Sequence, residues 1–279
     1  MNTIPELSIV FLAISTVINI GLPIALFFLW RKKYGLKLVP LIVGVAAYII
    51  FVMVLEQPLY SMVLHPTVDV TIDLVTIDLL KYSPLLFVLY TIFSAAIIEE
   101  TARFLSFQLL KKKFRGIGTG LSYGIGFGGI RTILFTSKSM LGLISLNVMI
   151  NSGIATMLND SPALVAQINS LIAQTPAMFL VSGIESIIIV YTLNISLSII
   201  VWRSVNAKGR LWLYPAAIVL GALANTPSAM SQAGVIHNGF VANGAALVIL
   251  VLIAIIAYKI CKAVKRESEE ESLLIGDSV

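Results

Sequence analysis

Between short charged clusters the sequence runs in apolar stretches, at about 7–30, 37–56, 84–110, 116–136, 176–202, 211–230 and 238–260. A stretch of about 20 such residues crosses the hydrocarbon layer as an α-helix, and backbone that cannot satisfy its own hydrogen bonds is kept out of that layer. Composition agrees, since 58% of the 279 residues are hydrophobic and only 12% charged, where a soluble domain has about 45–50% and about 25%. These values exclude a disordered chain, a coiled coil and an ordinary cytosolic enzyme. They predict an all-α integral membrane protein of about seven transmembrane helices, multi-pass in the cell membrane. The first stretch is too long for a removable signal peptide and lacks a small-residue cleavage pattern, so it reads as a true span.

The basic residues set the orientation. Arg31, Lys32, Lys33 and Lys37 follow the first span, and Lys111, Lys112, Lys113 and Arg115 the third. Arg203, Lys208 and Arg210 follow the fifth; Lys259, Lys262, Lys265 and Arg266 follow the seventh. Seven spans bring these fifteen of the 19 lysines and arginines to one face, which the positive-inside rule makes cytoplasmic. The N-terminus is therefore expected outside and the C-terminus in the cytoplasm. The net charge of +5 reflects these flanks, and nucleic acid is not an expected partner.

The outer loops fit this orientation. Residues 57–83 hold Asp69, Asp73 and Asp78 against one Lys81, and 137–175 hold Lys138 and Asp160. Within the latter, 141–158 is apolar enough for a re-entrant or interfacial segment. Residues 1–262 read as one polytopic transmembrane domain and 263–279 as an acidic, disordered cytoplasmic tail. The single cysteine, Cys261, makes an intramolecular disulfide impossible.

Five ionisable residues remain inside spans: Glu99, Glu100 and Arg103 on the third, Arg131 on the fourth and Glu185 on the fifth. A charge in mid-bilayer costs about 2.5–3.5 kcal/mol or more, so each needs a partner or a wet cavity. Arg103 lies four residues from Glu99 and three from Glu100, within reach of both along one helix face. Counting about 1.5 Å per residue from the basic end places Glu99 at ~18 Å and Arg131 at ~22 Å. Gly116, Gly120, Gly124 and Gly128 recur every four residues, a small-residue face that lets another helix approach closely. Arg131 stands on or beside that face, so a buried cluster of Glu99, Glu100, Arg103 and Arg131 is expected. Asn194, Asn225 and Glu185 are expected to join Arg131 in that buried ion-pair cluster. Glu185 and Asn194 are nine residues apart, on opposite sides of a straight helix.

Two carboxylates on one helix are able to activate water, but a catalytic zinc ordinarily takes at least one imidazole. The two histidines, His65 and His237, fall in predicted outer loops. No Ser-His or Cys-His arrangement lies within the spans, and Gly124–Gly129 follows no strand, which argues against a phosphate loop. Hydrolysis would rest on carboxylates alone.

Four segments in order, Glu99-Glu100-Thr-Ala-Arg103, Tyr123 to Arg131, Gly183-Ile-Glu185 and Asn194-Ile-Ser-Leu-Ser198, resemble the YhfC family of intramembrane metalloproteases. That family is related to the CAAX-processing and PrsW proteases and to the scaffold subunit of γ-secretase. The resemblance spans roughly residues 5–260. It implies a metal or water held between the motif helices, with Glu99 as the water-activating residue and Glu100 and Arg103 beside it. The family pattern places histidine where Phe127, Asn194 and Gly221 stand here, and glutamate where Arg131 stands; Glu99, Glu100, Arg103, Glu185 and Asn225 match it.

The expectation is a YhfC-type protein that is degenerate as a peptidase and binds or scaffolds a membrane protein. The guanidinium of Arg131 is expected where the cation of the family would sit. An alternative is an active peptidase using Glu99 as base on a membrane-protein or peptide substrate. A second alternative is a transporter or small-molecule binding protein with the polar cluster lining a path. No cofactor is expected, and zinc would be held only if the family site works without histidine.

Overall fold

In the computed structural model, residues 5–64, 83–152 and 175–276 are described. His65, the acidic residues of the 57–83 loop with Lys81, Asp160 and the end of the 141–158 segment lie outside them. All the regular structure among the described residues is helical. Helices α1 (Glu6–Tyr34), α2 (Leu38–Ala47) and α3 (Gln57–Leu64) are followed by α4 (Pro84–Leu110), α5 (Ile117–Arg131) and α6 (Ser137–Asn151). The chain ends with α7 (Pro176–Asn206), α8 (Leu213–Gln232) and α9 (Gly239–Gly276). A π-helical segment, Tyr48–Glu56, joins α2 to α3, and another, Thr132–Thr136, joins α5 to α6. Seven rods result. Six are long and apolar enough to cross a membrane; the seventh, α8, has 20 residues and lower hydropathy.

The ends follow local chemistry. Gly35 has φ +64°, and the Leu36 N–H donates to the Arg31 carbonyl at 3.2 Å, a left-handed C-terminal cap that glycine adopts without a Cβ penalty. Gly234 ends α8 in the same way, with φ +69° and the Val235 N–H on the Met230 carbonyl at 2.9 Å. Ser83 caps α4 by accepting from the Leu86 N–H, and Pro84 opens the helix where no N–H is needed.

Two differences from the sequence reading are physical. The fourth rod does not stop near residue 136 but runs from Ile117 to Asn151, so the first part of the 141–158 segment continues a helix through a π-helical segment. The 263–279 tail was expected to be disordered, yet α9 extends to Gly276. Pairs at i,i+4 line that extension, Lys265 with Glu269 at 3.6 Å and Arg266 with Glu270 at 3.3 Å. Charge density there supports a helix instead of dissolving one.

The chain divides into two compact units, one of Met1–Phe28 with Gly128–Tyr191 and one of Leu29–Phe127 with Thr192–Val279. The first has an apolar core of Leu12, Met140 and Phe179. There the Asn19 side chain donates to the Ser15 carbonyl at 2.7 Å, and Gly183 packs against the Ser15 side chain. The second packs Phe87, Val88, Ile92 and Ala96 of α4 against Ala222 and Ala229 of α8.

Candidate functional site

Within the second unit the glycines of α5 set the spacing. A Cβ on Gly124 would stand 2.7 Å from the Ile195 Cα and 3.2 Å from the Asn194 carbonyl oxygen, and one on Gly120 would stand 3.2 Å from the Trp202 Cβ. Gly120 and Gly124 are therefore the close-approach face against α7 that the four-residue repeat predicts. Gly116 has open space around it. A second stripe escaped the sequence reading. Gly126 abuts the Leu41 backbone and Gly118 the backbone of Tyr34 and Gly35, while Gly44 of α2 abuts the Tyr123 backbone. The signal was the eight-residue spacing of Gly118 and Gly126, masked by the denser repeat beside it.

This tight packing converges on Arg103. Its Nη1 donates to Glu100 Oε1 at 2.5 Å, and its Nη2 donates to Glu99 Oε2 at 3.3 Å and to Asn194 Oδ1 at 2.5 Å. Phe127 lies under the guanidinium, with Cζ 4.4 Å from the ring centroid. Tyr48, at the start of the π-helical segment, forms a T-shaped pair with that ring, the centroids 5.1 Å apart. Arg103 is 0% exposed, Glu100 and Asn194 1%, and Glu99 6%. Charge-assisted bonds at low exposure are strong, and removing one member of a buried pair costs about 3–5 kcal/mol. Two polar atoms stay unmatched: Glu100 Oε2 and Arg103 Nε are buried without a hydrogen-bond partner.

The other predicted site residues are placed as follows. Asn225 is half-buried on α8, one turn past Gly221. Gly221 faces the acidic pair, since a Cβ there would stand 3.5 Å from Glu100 Oε1. Arg131 and Glu185 belong to the first unit, each half-buried. The guanidinium described beside the acidic pair is that of Arg103. The sequence puts Arg103 within reach of both carboxylates and Asn194 in the buried cluster, but it does not name Asn194 as the third acceptor for Arg103 or Phe127 as the aromatic floor. Both arrive through the α5–α7 contact at Gly124, which is tertiary.

Fold and site thus define a class: an all-helical, multi-pass membrane protein with a buried carboxylate–guanidinium centre between closely packed helices. The family model for the YhfC intramembrane metalloprotease matches residues 18–246, and the chain belongs to that family. It is similar to the "Uncharacterized membrane protein YhfC" of Bacillus subtilis (strain 168), at 30% identity over 260 residues, covering 92% of this chain and 96% of the relative. No solved structure matches.

The family implies a metal, and the donors of this site do not fit one. Glu99, Glu100 and Asn194 each direct an oxygen at the guanidinium, a fixed cation that a divalent ion would have to displace. Zinc sites ordinarily draw on imidazole or thiolate. His237 is exposed, and among the described residues no group of three or more His, Cys, Asp or Glu is placed to hold a metal. Phe127, Asn194 and Gly221, which the family resemblance aligns with histidines, all stand around the acidic pair, and none offers a nitrogen ligand of that kind.

Proposed function

We propose that this YhfC-family protein has exchanged the peptidase role of its acidic pair for a structural one and acts by binding another membrane protein within the bilayer. One observation carries the reading: the Arg103 guanidinium bonds both carboxylates and the Asn194 amide oxygen, at full burial. A general base must reach a water and the scissile carbonyl. Here the carboxylates already neutralise a cation and are walled in by Phe127, Asn194 and Gly221. The same bonds tie α4 to α7, which suits a rigid frame that presents its lipid-facing helices to a partner. In this reading the four basic clusters lie in the cytoplasm, the N-terminus outside and the C-terminus inside.

The test is peptidase activity of the full-length protein in proteoliposomes against labelled transmembrane peptides, with Glu99→Gln and Glu100→Gln as controls. No cleavage above that of the two variants is expected. Cleavage abolished by either substitution would establish the second reading, an active peptidase. The buried, unpartnered Glu100 Oε2 favours that alternative, because it leaves one carboxylate oxygen for a water.

A further inference from the structure

Where α4 and α7 end beside residues 264–268 of α9, in the second unit, a cavity of about 450 Å³ is lined by Lys111, Lys112, Arg115, Trp202, Arg203 and Glu267, among others. Its size falls within the roughly 300–1,000 Å³ of small-ligand sites. Four cations face one carboxylate, and that carboxylate is engaged: Glu267 Oε1 is 2.5 Å from Arg203 Nη2. Among the described residues no carboxylate is paired with Lys111, Lys112 or Arg115. Lys111 donates to the Gln108 side chain, and Arg115 uses its Nε on the Lys111 carbonyl at 3.4 Å, leaving its terminal nitrogens uncommitted. A second, independent observation points to a ligand. Trp202 is 2% exposed, and its indole N–H is buried without an acceptor.

A short turn holds the cations in place. The Lys113 and Phe114 N–H groups both bond the Leu110 carbonyl, at 3.0 and 2.9 Å.

We propose that this cavity binds the phosphate of an anionic phospholipid headgroup. A phosphate has enough acceptor oxygens to engage Lys111, Arg115 and the Trp202 N–H together, and basic pockets between helix ends recognise such headgroups. Adjacent lipid chains have a place to lie: Leu109 and Leu105, 80% and 45% exposed, run down α4 from Lys112 at intervals of three and four residues. That stripe favours a lipid over a free phosphate. Glu267 then acts as an internal competitor, holding Arg203 until a headgroup arrives. The proposal is independent of whether the Arg103 cluster is catalytic.

The test measures binding of dioctanoyl-phosphatidylglycerol, dioctanoyl-phosphatidylcholine and inorganic phosphate to the full-length protein in neutral detergent, by native mass spectrometry. Phosphatidylglycerol is expected to bind at least about tenfold more tightly than phosphatidylcholine, and removing each cation to weaken it about fivefold. Lys111→Gln/Arg115→Gln is thus expected to lose about 25-fold, while Lys32→Gln/Lys33→Gln, equal in charge but outside the cavity, changes little. Trp202→Phe keeps an aromatic side chain, though a smaller one, and loses the N–H, and weakens binding about threefold to tenfold. Glu267→Gln frees Arg203 and tightens it. Equal binding of the two lipids, equal losses in the two double variants, or phosphate binding as tightly as the lipid would each overturn the proposal.

Discussion

Replacing Arg103 by methionine separates the charge at the centre of the site from the volume it fills. Methionine keeps a long, unbranched, apolar stem over Phe127, so the packing cost stays below about 1.5 kcal/mol. What is lost is electrostatic: the bonds of 2.5 and 3.3 Å to Glu100 and Glu99, the 2.5 Å bond to Asn194, and the guanidinium over the ring at 4.4 Å. Leaving the carboxylates buried without their cation costs about 3–5 kcal/mol. At about 2–4 °C per kcal/mol for a chain approaching this size, the melting temperature in detergent should fall by roughly 6–20 °C. The assay is thermal unfolding of purified protein, followed by the fraction remaining monodisperse on gel filtration. The triple variant Glu99→Gln/Glu100→Gln/Arg103→Met tests the cause. Removing a whole buried ion-pair set is often nearly neutral, so the triple variant should recover most of the loss. An Arg103→Met protein as stable as its parent, or a triple variant as unstable as the single one, would refute the ion-pair account.

Other outcomes follow from the packing and the charge pattern. Gly126→Ala drives a methyl into the Leu41 backbone and should cost about 1–3 kcal/mol in the same unfolding assay, whereas Gly116→Ala, with open space around it, should stay within about 0.5 kcal/mol of the parent. Gly35→Ala forces a methyl-bearing residue to hold φ +64° and should cost about 1–2 kcal/mol. Fusion of a fluorescent reporter to the C-terminus should give fluorescent cells, and an alkaline phosphatase fusion there should be inactive, as the basic clusters require.

Much of this architecture is legible in the order of residues, for reasons that differ by element. The rods follow from apolar length, because a single apolar segment of about 20 residues satisfies its own backbone hydrogen bonds in lipid only as a helix. The Glu99–Glu100–Arg103 triangle follows from helical spacing, since all three ride on one element. The close approach at Gly120 and Gly124 follows from the repeat. What stayed hidden is tertiary. Nothing in the spacing of Asn194 indicates that its amide oxygen meets Arg103, and Phe127 reads as a missing ligand instead of the floor beneath a guanidinium. The π-helical segments are equally silent, because an extra residue per turn leaves the apolar pattern intact. In the tail, charge density suggests solvation, while the i,i+4 pairing of Lys265 and Arg266 with Glu269 and Glu270 and the Arg203–Glu267 bridge support a helix.

The most direct test of a site organised around a guanidinium is the zinc content of the full-length protein, purified without chelator from zinc-supplemented cells and measured by plasma mass spectrometry. Less than about 0.1 mole of zinc per mole of protein is expected, unchanged by Glu100→Gln, since a fixed Arg103 cation and no imidazole surround the acidic pair. One mole of zinc per mole of protein, lost on Glu100→Gln, would contradict it.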